Sequence, residues 1–202
     1  MHDGHTGKRS SKAEQLLEFL VKTSYHESPT ASYHLSSGKW SPYYIDCKMA
    51  LSYSEARKLT AELILEKLTG ASIDAVGGLA LGAYPIAIAV SDLLSHEWKK
   101  DIQAFIVRKD PKTHGLQKYL EGDVHTGERV LIVDDVITTG GSTLTAIEKS
   151  RDAGLTIIQA IAIIDREEDQ GRQRIEKAGV AFDAIFTLSD LRQASKYASI
   201  RQ

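Results

Sequence analysis

The chain has 202 residues, 42% of them hydrophobic, with 25 Lys and Arg against 27 Asp and Glu and a net charge of −2. This length suits one α/β domain with a full core, and the near-neutral balance gives no basic footprint for a nucleic-acid or anionic-membrane partner. Cys47 stands alone, which excludes an intrachain disulfide and points to a reducing compartment.

Met1 to Ser10 is polar, without the apolar core of a signal peptide, and the longest apolar run, Val76 to Val90, is broken by Gly82 and Pro85. A cytoplasmic protein with no membrane association is expected. His2, Asp3 and His5 fit either a metal cluster or, more simply, a frayed polar terminus. Ser11 and Glu14 form a capping-box pattern, and Ala13, Leu16, Leu17, Leu20 and Val21 then recur at helical spacing, predicting a helix that ends near Tyr25. Tyr33 to Leu51 is aromatic and β-leaning, with Ser37-Gly38-Lys39 as a hairpin turn. It reads as a small hood outside the regular alternation. Its Trp and three Tyr form either a mini-core or a flat wall for a planar ligand.

Ser52 and Glu55 make a second capping box, opening a helix through Ala56, Leu59, Leu63 and Lys67 that stops at Gly70. Ile73 to Val76 is a short strand, followed by a glycine-rich loop, Gly77 to Ala83, and a helix started by Pro85. Glycines there serve either close approach of backbone to a ligand or tight packing of helix on strand. Ala104 to Val107 is the next strand and delivers Arg108-Lys109-Asp110-Pro111-Lys112-Thr113-His114-Gly115. From there to His125 the chain is polar and aperiodic, which reads as a lid with mobile cations for a polyanion, or as a solvated basic loop.

Val130 to Thr143, VLIVDDVITTGGST, is the centre of the chain. Val130 to Val133 is a buried strand of a parallel sheet, and Asp134 and Asp135 follow at its carboxyl end. The loop Thr138-Thr139-Gly140-Gly141-Ser142-Thr143 then leads into a helix from Leu144 to Asp152, with Gly154 beyond it. A strand, a Gly/Thr loop and a helix N-terminus make an anion cradle. Two carboxylates beside it suit hydroxyls or a hydrated divalent cation, so the ligand implied has a phosphate at one end and a diol at the other: a phosphorylated ribose. Neither G-x-x-x-x-G-K-[ST] nor G-x-G-x-x-G is present to offer another phosphate motif. The bland alternative is an ordinary βα turn with solvated acids.

Thr156 to Ile164 is a strongly apolar strand ending in Asp165-Arg166-Glu167-Glu168. Arg166 either pairs with Asp165 or Glu167 or grips a ligand carboxylate with its planar fork. A helix over Arg172 to Lys177, a strand over Val180 to Thr187 and a terminal helix complete the chain. Alternating βα units predict a parallel sheet flanked by helices, with ligands at the strands' carboxyl ends.

VLIVDDVITTGGST closely resembles the phosphoribosyl pyrophosphate (PRPP) signature of type I phosphoribosyltransferases. From about Tyr33 to Arg166 the accessory pieces resemble the orotate branch of that family: LSSGKWSPYYID its hood strand, RKDPKTHG its lid and IDREE its D-R segment. The resemblance implies a single type I phosphoribosyltransferase domain over 1–202, with a hood within about 1–52 and a lid over about 108–125. It implies that Asp134, Asp135, Val136, Ile137, Thr138, Thr139, Gly140, Gly141 and Ser142 bind PRPP. Thr138, Arg166, Tyr44 and Ile45 would contact orotate, and Arg108, Lys109, Lys112 and His114 would engage the pyrophosphate. Of these, Lys112, Arg108 and His114 are the catalytic candidates. Mg²⁺ is implied as cofactor, bound mainly through PRPP and not by protein ligands, and a homodimer with shared active sites is implied as the assembly. The chain departs from some members at Ser36 and at Leu81-Gly82, where they carry lysines toward PRPP. A purine phosphoribosyltransferase and a PRPP-binding regulator are the rival readings.

Overall fold

The computed structural model of the protein describes residues 10–34, 38–70, 72–111 and 119–200. Helix α1 (Ser11–Thr23) is capped by Ser10, whose Oγ accepts from the Ala13 N–H at 3.3 Å, one residue before the expected capping box. It stops two residues short of Tyr25 because Tyr25 opens β1 (Tyr25–Glu27). Then follow β2 (Tyr33–His34), β3 (Trp40–Ser41), β4 (Tyr43–Ile45) and α2 (Cys47–Leu51). The β2–β3 pair is antiparallel and brackets the expected hairpin turn; Ser36 and Ser37 lie outside the described residues. The β1–β4 pair, also antiparallel, ties the hood to the end of α1.

Helix α3 (Ser54–Lys67) begins after Tyr53 without a side-chain cap. Ser52 does not open it, because its Oγ donates to the Met49 carbonyl at 2.7 Å and closes α2. Strand β5 (Ala75–Leu79) runs further than expected and takes in both Gly77 and Gly78. A Cβ on Gly77 would stand 2.5 Å from the Phe105 ring, and one on Gly78 would stand 2.1 Å from the Val133 carbonyl oxygen. Tight packing therefore explains these two glycines, and the loop shrinks to Ala80–Ala83 before α4 (Tyr84–Trp98).

Strand β6 (Gln103–Val107) pairs antiparallel with β7 (Leu120–Glu121), so the candidate lid springs from a hairpin root. The remainder is β8 (Arg129–Ile137), α5 (Gly141–Asp152), β9 (Thr156–Asp165), α6 (Gly171–Lys177), β10 (Phe182–Thr187) and α7 (Leu188–Ile200). Helix α5 starts at Gly141, three residues before the expected Leu144, since Gly140 at φ +71° turns the chain into the helix.

The sheet order is β10-β9-β8-β5-β6-β7, parallel except at β7. Alternation along β8 sends Leu131 and Val133 to one face, under α1, α3 and α4, and Val130 and Ile132 to the other, under α5 and α6. Burial on both faces is why this central strand reads as a continuous apolar run. The register pairs Asp134 with Ala162 and Ile137 with Asp165, which brings the ends of β8 and β9 to one edge. Among the described residues, no helix is long and apolar enough to cross a membrane.

Candidate active site

The acid pair sits at the carboxyl end of β8, and its two members have different surroundings. Asp134 is 5% exposed; its carboxylate accepts from Thr143 Oγ1 at 2.7 Å and from the Asp135 N–H at 3.0 Å. Burial, and then the charge of Asp135, push its pKa up to about 7. Asp135 is only partly buried. A Cβ on Gly82 would fall 2.4 Å from Asp135 Oδ1, so the Ala80–Ala83 loop passes directly over this carboxylate. At Gly82 the close neighbour is thus the outward carboxylate of the acid pair, whereas at Gly77 and Gly78 it is the packed interior of the sheet.

The loop after the acid pair is backed by α6. A Cβ on Gly171 would stand 2.4 Å from the Thr138 carbonyl oxygen, and Arg174 Nη1 donates to the Thr139 carbonyl at 2.7 Å. Thr139 Oγ1 accepts from the Gly141 N–H at 3.3 Å. Held this way, the loop presents the first turn of the twelve-residue α5, whose N–H groups lack intrahelical acceptors. Val136 and Ile137 turn their side chains into the core, so they can offer a ligand only backbone; the Ile137 carbonyl accepts from the Arg166 N–H at 3.0 Å.

Arg166 is 3% exposed. Its Nε and Nη2 donate to the two carboxylate oxygens of Glu168 at 3.0 and 3.2 Å, and Nη2 donates also to Ser41 Oγ at 3.1 Å. Pairing with Asp165 or Glu167, one of the two readings open from the sequence, is not found. Asp165 is taken by Arg172 and by the Glu167 N–H, and Glu167 by Ser189. Asp169 is ion-paired with Lys39 of the hood. Beside these residues lies a cleft of about 420 Å³, lined by Asp165, Glu167, Glu168, Gly171, Arg172 and Thr187 among others.

The hood aromatics differ in their burial. Tyr25 is buried and stacks on Tyr43 at 6.2 Å, whereas Tyr44 is 38% exposed and stacks on Tyr33 at 5.7 Å. Ile45, next to Tyr44 and on the opposite side of the strand, packs against the core.

At the lid root, Arg108 pairs with Glu121 at 3.1 Å, while Lys109 is exposed. Lys112 and His114 lie outside the described residues, as do His2, Asp3 and His5. Two lysines that sequence reasoning passed over belong to the neighbourhood. Lys149 of α5 donates to the carbonyls of Arg108 and Lys109 at 2.9 and 2.6 Å and lies 3.8 Å over the Tyr119 ring. Lys48, paired with Asp46 at 2.7 Å, has its pKa raised chiefly by that hydrogen bond and further by Asp135 and Tyr44. Neither had a motif to mark it. Lys149 is found by its place on the helix that follows the cradle.

Residues 48–184 match the phosphoribosyl transferase domain family. The orotate phosphoribosyltransferase of Aquifex aeolicus (strain VF5) is 40% identical over 178 residues, 88% of this chain and 96% of that one. Among solved structures, the orotate phosphoribosyltransferase of Mycobacterium tuberculosis H37Rv in complex with Fe(III) dicitrate superposes with a TM-score of 0.76 at 34% identity. The alignment covers 89% of this chain and 98% of that one. The same enzyme in complex with PRPP gives a TM-score of 0.71 at 32% identity, over the same shares of the two chains. A likeness of this extent, on a fold whose sheet edge gathers the acid pair, the glycine loop and Arg166, places the chain in the phosphoribosyltransferase family, among the orotate phosphoribosyltransferases.

Proposed function

We propose that the chain transfers the phosphoribosyl group of PRPP to orotate, giving orotidine 5′-phosphate and pyrophosphate in pyrimidine (UMP) biosynthesis. The observation that carries this reading is the meeting of three unlike groups at one sheet edge. A carboxylate pair suits a diol, a helix N-terminus suits a phosphate, and a buried guanidinium suits a carboxylate. Asp135 accepts from the ribose hydroxyls with Asp134 behind it, and the N–H groups of Val136 to Ser142 take the 5′-phosphate. Arg166 and Thr138 orient orotate, with Tyr44 as an aromatic wall and Ile45 as its support.

The reaction is displacement of pyrophosphate from C1 of PRPP by a pyrimidine ring nitrogen. Positive charge develops on the ribose ring and negative charge on the leaving group, so the chain's part is positioning and electrostatics. Arg108, Lys109, Lys112 and His114 neutralise the departing pyrophosphate and exclude water from the cationic sugar. Mg²⁺, when bound with PRPP, adds charge of the same sign there. Among the described residues no group of three or more His, Cys, Asp or Glu could hold a metal. In this reading Mg²⁺ would be held mainly by the oxygens of PRPP.

A homodimer, proposed here to share its active sites, has as its support the exposed apolar side chains of Met49, Tyr53, Tyr84 and Ile88, from the neighbouring α2, α3 and α4 region, which suit an association surface. A cytoplasmic location is supported by the free, buried Cys47. The test is to mix protein, PRPP, Mg²⁺ and single bases and follow pyrophosphate release. Orotate should react, and uracil, which lacks the carboxylate, should react at least about 10-fold more slowly. Equal rates with uracil, or faster turnover of adenine or hypoxanthine, overturn the assignment.

A further inference from the structure

The guanidinium of Arg166 has no vacant two-point edge. A planar carboxylate binds arginine best through two parallel hydrogen bonds, either side-on to Nε and Nη2 or end-on to Nη1 and Nη2. Glu168 holds the whole side-on edge, with Oε2 3.0 Å from Nε and Oε1 3.2 Å from Nη2. Nη2 carries two hydrogens. Glu168 takes one and Ser41 Oγ takes the other at 3.1 Å, which closes the end-on edge as well. A second carboxylate can make a two-point contact only if Glu168 or Ser41 gives way.

The two partners differ in how easily they move. Ser41 is 5% exposed, sits in β3 and accepts also from the Tyr43 N–H at 3.0 Å, so it is fixed by the hood. The Glu168 side chain is 36% exposed and borders the cleft of about 420 Å³. Its release leaves the rest of the segment in place, because Asp165, Glu167 and Asp169 are each held by another donor. Glu168 also cancels the charge that would draw an anionic base to Arg166.

We propose that Glu168 is a specificity-determining residue, an internal counter-carboxylate that occupies Arg166 in the free protein and is exchanged for the carboxylate of the substrate. This rests on the reading that Arg166 receives that carboxylate. Exchange makes the substrate's carboxylate compete against Glu168, so removing the glutamate's charge should tighten carboxylate-bearing ligands. A residue that merely props the guanidinium in place would have the opposite effect when removed.

The experiment titrates the wild-type protein, Glu168→Gln and Arg166→Gln with orotidine 5′-phosphate and with uridine 5′-phosphate. These ligands share the ribose phosphate and differ in the carboxylate. For Glu168→Gln, orotidine 5′-phosphate should bind about two- to tenfold tighter, the range set by a partly exposed ion pair, while uridine 5′-phosphate stays within about twofold. Arg166→Gln should weaken orotidine 5′-phosphate and leave uridine 5′-phosphate nearly unchanged. If Arg166→Gln affects both ligands alike, the carboxylate reading of Arg166 itself fails. If Arg166→Gln behaves as expected but Glu168→Gln leaves orotidine 5′-phosphate unchanged or weaker, the exchange is refuted and the reading of Arg166 survives. Glu168→Ala serves as the second variant, and it must also tighten orotidine 5′-phosphate for the exchange to stand.

Discussion

Replacing Asp134 by asparagine removes an ionisation while keeping the shape of the side chain. In the folded protein this carboxyl is enclosed, faces Asp135 and is pushed up to about 7 from an ordinary 3.8. Its folded pKa thus lies above its unfolded one, and between these values the folded state binds the extra proton. The group contributes stability that is fully present below the unfolded value and is lost as pH rises through the folded one. Across that window the loss is on the order of 4 kcal/mol, taking 1.36 kcal/mol for each tenfold change in proton affinity. Asparagine cannot ionise, so Asp134→Asn should gain on the wild type as pH rises from about 5 to 8. The offset at low pH reflects the hydrogen bond from Thr143, worth about 1 kcal/mol. The assay is denaturant unfolding of both proteins at several pH values, plotted as their difference. The subtraction removes contributions from titrating groups that do not interact with Asp134; Asp135, which does, belongs to the measured difference. A difference that stays flat, or that moves against the variant with rising pH, refutes the account of a proton-holding Asp134.

Asp135→Asn should weaken PRPP about 10-fold or more, the scale of a lost charge-assisted contact, and leave orotate binding almost intact. Equilibrium titration of each ligand checks this, and equal losses for both would sink the division of roles. Gly78→Ala should cost roughly 3 kcal/mol or more in thermal unfolding, because the new Cβ meets the Val133 carbonyl at 2.1 Å and the Ala83 Cβ at 2.6 Å, neither of which can swing away. Gly82→Ala meets a carboxylate that can rotate, so its Tm should hold while PRPP affinity falls. Unchanged PRPP affinity there would dissociate the loop from the ribose site.

The central motif was legible because its pieces have sharp chemical contrasts: an apolar run, two acids and a glycine-hydroxyl loop admit few arrangements. The β5 glycines were not legible, since Gly77-Gly78 has the composition of a loop. What keeps them in the strand is Phe105 and Val133, distant in sequence and close only once β5 lies between β6 and β8. The helix caps slipped by one residue where serines cluster: at α1 the neighbouring Ser10 serves in place of Ser11, and at α3 the cap falls on Tyr53 because Ser52 is engaged at the end of α2. Of the two readings open for Arg166, pairing within the segment named Asp165 or Glu167 and not Glu168. Glu167 adopts φ +57°, which turns the chain and brings Glu168 back onto the guanidinium, a backbone conformation that residue type does not announce.

The two most deeply buried charged groups of the proposed site, Asp134 and Arg166, are compensated within the protein, and by different means at the two ends. At the ribose end, two adjacent carboxylates would repel at close range, and burial together with the charge of Asp135 raises the proton affinity of Asp134 while Asp135 remains the outward group. At the base end, Arg166 is too buried to stand uncompensated, and Glu168 supplies the opposite charge. Each arrangement keeps the free site from carrying an isolated buried charge. Each also ties affinity to a trade, so a ligand gains most where it replaces an internal partner with one of its own. Selectivity for an anionic base then depends on how tightly Glu168 is held as well as on Arg166. The hood enters the same balance through Ser41, which accepts from Nη2, and through Lys39, which pairs with Asp169 in the same segment.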